Sequence, residues 1–184
     1  MKYIFIKIGM TDEYASYSLY GQEEEKMRRT DREVTDMEEI KKVLDACKVC
    51  RIGMSENGKI YIVPMNLGYV FEDGKLVLYF HGARTGRKIE VIGQNPEVGF
   101  EMDCGHKLAE GRTACQYSYY YASIIGNGNA KIVTVPEEKS QALSVIMRHQ
   151  TGREFQEFET NPKLEQAVAI IRVDVEEYSC KCHI

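Results

Sequence analysis

No stretch of this 184-residue chain stays apolar over the roughly 20 residues that a bilayer-spanning helix needs. Basic charge is not in excess either. Its 24 Lys and Arg face 28 Asp and Glu, a net charge of -4, which argues against a broad nucleic-acid-binding surface but leaves room for a local basic pocket. GxGxxG, Walker A, GxSxG and HExxH are all missing. Their absence removes the common dinucleotide, nucleotide, hydrolase and metalloprotease fingerprints. Nor is there an internal repeat or a low-complexity linker, so no second domain is expected. The apolar fraction, 43%, is enough for a packed core. A soluble, single-domain protein is the starting expectation.

The first residues, MKYIFIKIGM, faintly resemble a signal peptide, but Lys7 interrupts them and no small-residue cleavage site precedes the polar DEYASYSLYGQEEEK. The domain is expected to begin near Met27. Residues 1–26 then read as a poorly ordered extension, such as an upstream start codon read in frame would add.

Six cysteines raise the question of metal or disulfide. Cys47 and Cys50 form a CxxC, and Cys180, Cys182 and His183 cluster near the C-terminus, so a four-ligand zinc set exists on paper. The alternative is packing: Cys47 falls on the apolar face of a predicted helix and Cys50 starts a buried strand, where cysteine acts as a small hydrophobe. That reading is preferred, with no metal, reduced thiols and a cytoplasmic location.

Thr35 with Glu38 fits a capping box, and Met37, Ile40, Val43, Leu44 and Cys47 recur at helical spacing. Strands joined by tight turns follow, with Asn57-Gly58 and Asp73-Gly74 as hairpin signals. Thr85 can cap a short helix, TGRKIEVIGQN, closed at Asn95-Pro96. PEVGFEMD returns to strand, 104–116 reads as a loop, and YSYYYASIIGNGNAKIVTV as a long strand bent at Gly126 and Gly128. Pro136 opens a helix that Gly152 ends, 162–168 holds a helical turn or two, and AIIRVDVEEYSC is the last strand. Strands with inserted helices and no regular βαβ alternation indicate a mainly β fold, a β-barrel with peripheral helices.

FHGARTGRKIE, residues 80–90, carries the most chemistry. A strand ends at His81, Gly82 frees the backbone, and a helix opens beside Arg84, Arg87 and Lys88. Cations at a helix N-terminus oppose the dipole unless an anion joins them, so a phosphate site is favoured over a solvated first turn. Arg51 either reaches the same anion or pairs with a carboxylate. His81 is structural or catalytic. The tyrosines at 117 and 119–121 either stack on a planar ligand or belong to core or interface.

The pieces MRRTDREVTD, KVCRIGM, YIVPMNLGY, LYFHGARTGRKIE, NPEVGFEMD, YASIIGNGNAKIV and VIMRHQTG, in this order, resemble the FMN-binding split-barrel proteins related to pyridoxamine 5'-phosphate oxidase, specifically their nitroimidazole-resistance branch. The likeness covers nearly all of residues 27–178. It implies a six-stranded antiparallel split β-barrel and a homodimer with FMN at the subunit interface. By motif, Arg51 and Val63, Pro64, Met65 and Asn66 would lie along the flavin. His81, Gly82 and Ala83 would approach its ring and ribityl chain, Arg87 and Lys88 would hold its phosphate, and Ser123 would come from the partner subunit. The family often has a serine where this chain has Gly82, so one hydroxyl contact is missing. The implied activity is an FMN-dependent oxidoreductase. Electrons would pass from a nicotinamide donor to a small planar acceptor such as a nitroaromatic, with His81 as the catalytic residue. A flavin- or haem-binding protein without turnover, ligated through His81 or His149 if haem, is the alternative. Neither nucleic acid nor membrane is implied as a partner.

Overall fold

The structure is a computed structural model that describes residues 29–183. The extension expected at 1–26 lies outside them. Seven antiparallel strands form one sheet: β1 (Glu33–Val34), β2 (Val49–Glu56), β3 (Lys59–Glu72), β4 (Lys75–Gly82), β5 (Glu97–Ala109), β6 (Ser118–Val133) and β7 (Ala169–His183). In space they run β1-β7-β4-β3-β2-β5-β6, and β6 pairs back onto β7. The six long strands therefore close into a ring, the expected split barrel. Two-residue β1 is an addition, laid along β7 opposite Cys180 and Lys181.

Period-two alternation sets which side chains point inward. On β2, Cys50, Ile52 and Met54 are buried while Val49, Arg51 and Ser55 face out. Their cross-strand partners follow the same rule, Cys50 opposite Met65 and Met102, Arg51 opposite Pro64 and Glu101. Leu67, Leu78, Phe80, Met102, Ile124 and Ile171 are fully enclosed in the ring's interior, each worth about 1.5–3 kcal/mol of burial. Both hairpins turn where predicted, with positive φ at Asn57, Gly58, Asp73 and Gly74.

Helix α1 (Met37–Ala46) packs Ile40, Val43 and Leu44 into that core. α3 (Pro136–Thr151) covers part of the outer face, where Ala142, Leu143 and Ile146 meet Val133 and Ile170 in a second cluster. Adjacent Ile170 and Ile171 are both fully buried, one in each cluster. α3 comes so close to β3 that a Cβ on Gly68 would stand 2.6 Å from the backbone of Ile146. α2 (Arg87–Gln94) buries Val91 and Ile92 in the main core, and α4 (Glu157–Thr160) and α5 (Pro162–Ala167) lead into β7.

Three local expectations are corrected. The N-cap of α1 is Asp36, whose carboxylate accepts from the Glu39 amide at 3.0 Å, not Thr35. An ionised cap gains from the helix dipole as well as from the hydrogen bond. α2 is capped by Gly86 at φ 122°, not by Thr85, because the chain enters that helix through a conformation that only glycine adopts readily. Finally, β5 continues to Ala109 through an irregularity after Cys104. The alternation breaks at Gly105-His106, which hid a strand that still pairs Lys107, Leu108 and Ala109 with β6.

Candidate functional site

The predicted site residues emerge in two neighbouring groups. Arg51, Pro64, Asn66 and Ser123 share the outer face of neighbouring strands, with Glu101 and Asp103 of β5 between Arg51 and Ser123. Beyond Asn66, at the end of β4, His81 alternates outward next to enclosed Phe80. Val63 and Met65 alternate inward and belong to the core. They are lined up with the outer residues in sequence, but sit behind them.

Arg51 takes the carboxylate alternative. Its Nη1 donates to Asp103 Oδ1 at 2.8 Å and Glu101 Oε2 at 2.9 Å, and both carboxylates hold its proton more tightly than usual. Asp103 also holds His106 Nε2 at 2.7 Å. An incoming anion would have to share Arg51 with two carboxylates. The Nδ2 of Asn66 donates to the carbonyl of Lys48 and to Gln150 Oε1, both at 3.2 Å. Around these polar groups the face is apolar and open: Ile60 is 72% exposed, Ile62 60% and Ile125 47%.

The second group is the corner where β4 gives way to α2. His81 and Ala83 are exposed, and among the described residues the His81 side chain has no hydrogen-bond partner. Gly82 is half-buried under the Lys88 side chain. A Cβ there would stand 2.8 Å from Lys88 Cε and 3.2 Å from its Nζ. Gly86 brings no side chain to the helix start, so among the described residues the first amides of α2 have no side-chain capping partner. Arg87 is anchored the other way: Nε and Nη2 donate to Glu56 Oε2 at 2.9 and 2.6 Å, and its guanidinium lies 4.1 Å over the Tyr61 ring. Two cations and unpaired amides at one helix start fit a phosphate, with Lys88 the nearer and Arg87 a partner that must turn from Glu56.

Tyr69, the last residue of the YIVPMNLGY piece, is turned away from the outer face. Its hydroxyl donates to Asp45 Oδ1 of α1 at 2.6 Å, and its ring meets His149 of α3 edge-on. It sits five residues from Pro64, an odd step that puts it on the other face. Sequence reasoning also missed the contact of Cys47 with Cys104. Burial pushes both thiols up. Cys50 is pushed up to about 12 by burial. Among the described residues no three His, Cys, Asp or Glu side chains gather so as to hold a metal ion.

A family model for pyridoxamine 5'-phosphate oxidase matches residues 36–182. Among solved structures, the chain is 31% identical to a candidate 5-nitroimidazole antibiotic resistance protein from Bacteroides thetaiotaomicron, with a TM-score of 0.68 over 81% of this chain and 85% of that one. The flavocytochrome Anf3 from Azotobacter vinelandii is 20% identical at a TM-score of 0.68, covering 86% of this chain and 72% of that one. An FAD- and haem-binding protein from Mycobacterium smegmatis is 15% identical at a TM-score of 0.68, covering 82% and 73%. The last two share the fold. No curated protein matches the sequence.

Proposed function

The chain belongs to the pyridoxamine 5'-phosphate oxidase family, and from that premise we propose that it is an FMN-dependent oxidoreductase. It would pass electrons from a nicotinamide donor to a small planar acceptor such as a nitroaromatic. The observation that carries this reading is the β4–α2 corner, where Lys88 lies across Gly82 beside uncapped helix amides and exposed His81. That corner suits a phosphate monoester next to a site open to a second molecule.

A flavin held there would supply the redox chemistry. The rest falls to the chain. Lys88 and the α2 amides neutralise the phosphate, and Arg87 adds a fork of donors once released from Glu56. Pro64 and Asn66 form a shallow wall on the outer face. His81 would donate a ring N–H proton to an acceptor, a role supported by its exposure and by the lack of any described group bonded to its ring nitrogens. The open apolar face of Ile60, Ile62 and Ile125 suits a second copy of the chain, which would bring its Ser123 to the site.

The test is an absorption spectrum after loading with FMN and desalting. Retained flavin bands are expected in the native protein, and a loss of affinity of about 100-fold in Arg87→Ala/Lys88→Ala. His81→Ala should keep FMN while slowing electron transfer to a nitroimidazole; equal loss of both would make His81 structural. Ile62→Glu should turn a dimer into monomer by light scattering. Protein that neither carries nor takes up FMN would overturn the reading.

A further inference from the structure

A cleft of about 620 Å³ opens between α1, the far half of β3 and the C-terminal end of α3. It shares no residue with the surfaces proposed for the flavin. Its size falls in the range of small-molecule sites. Val70, Phe71 and Val145 give its lining an apolar part.

Its aromatic part is fixed in place. Tyr69 and His149 rings meet at 5.2 Å and 77°. The Tyr69 hydroxyl is held by Asp45, and His149 Nε2 lies 2.8 Å from the carbonyl of Cys47. Lys48 Nζ donates to the His149 carbonyl at 2.7 Å, and Gln150 Nε2 to those of Leu67 and Lys48 at 2.8 and 3.1 Å. These bonds tie three elements together, so little order remains to be imposed on binding.

The rim is charged. Three cations, Lys41, Lys48 and Arg148, face two carboxylates, Asp45 and Glu72, a surplus of one positive charge. Asp45 is already committed to Tyr69. Among the described residues Arg148 reaches only Glu154, at 3.2 Å between two exposed side chains, a pair weak enough to open.

We propose that this cleft is a second ligand site, for a small apolar or aromatic monocarboxylate. The apolar body would lie against Val145 and the Tyr69–His149 rings, with the carboxylate at Lys41 and Arg148. A surplus of one charge favours a monoanion over a phosphate dianion.

The test is a benzoate titration of the full ¹⁵N-labelled protein, with and without FMN, followed by amide chemical shifts. Saturable shifts centred on Val70, Phe71 and Gly152 are expected under both conditions. Lys41→Glu/Arg148→Glu, both at exposed positions, should weaken benzoate about tenfold or more and favour benzylammonium instead. Absence of saturation at millimolar benzoate would overturn the proposal. So would shifts centred on the β4–α2 corner, or equal binding of benzyl alcohol.

Discussion

The side chain of Lys88 occupies the space that any side chain at position 82 would need, with Cε and Nζ at 2.8 and 3.2 Å from the Cβ that Gly82 lacks. The glycine that departs from the family's common serine is thus filled from the next helix. Its replacement tests whether the ammonium there matters. Gly82→Val should push Lys88 aside and weaken FMN about tenfold, as should Lys88→Ala. The double variant should be no worse than either single, because both remove the same contact. Additive losses, measured by fluorescence titration, would separate the two residues.

Gly68 is set against the backbone of Ile146 rather than against a movable side chain. Gly68→Ala should therefore cost about 2–3 kcal/mol in urea unfolding, through displacement of α3. Gly93, in α2 with nothing within 4 Å of a Cβ, is the control. Gly93→Ala should add about 0.5–1 kcal/mol.

Arg172 joins β7 to the first turn of α3, through Glu138 at 2.8 Å and Asp174 at 2.6 Å. Burial alone would raise the Asp174 carboxyl; hydrogen bonds from Lys131 and Arg172 outweigh it and hold the group below its ordinary value. A depressed carboxyl contributes stability above its unfolded value, about 4, and loses it as pH falls through the folded one. Arg172→Gln should thus destabilise most at neutral pH, with the gap to the native protein narrowing below about pH 4. A gap independent of pH would assign Arg172 a packing role alone.

His149 behaves as a base kept neutral. Burial, aided by nearby Lys48, lowers its affinity for a proton despite the Cys47 carbonyl and Asp45. The unfolded imidazole titrates near 6.5, so unfolding takes up a proton just below that pH, and stability falls as pH drops from 7 toward 5. In His149→Gln this part of the slope should vanish. An unchanged slope in urea titrations at pH 7 and 5 would mean that other groups set it.

Much of the fold was legible from local pattern. The Asn57-Gly58 and Asp73-Gly74 turns, Pro136 and Gly152 bounding α3, and the irregularity at Gly128 all appear where their chemistry put them. What stayed hidden depended on tertiary partners. The continuation of β5 past Gly105 is held by tyrosines of β6, and Arg51 and Arg87 look like free cations until Glu101, Asp103 and Glu56 fold beside them. The placement of Tyr69 against Asp45 and His149 joins residues 24 and 80 positions away, which no spacing rule reaches.

β7 is hydrogen-bonded to β1, β4 and β6, yet among the described strands it comes last along the chain. The ring cannot shut until that strand has left the ribosome. Until then β4 and β6 each present a bare row of amides and carbonyls to the cell. Long loops must close before these pairings return any free energy, so the final folding step should be slow and open to chaperones. A nascent chain halted before residue 169 would stay trapped in that sticky form.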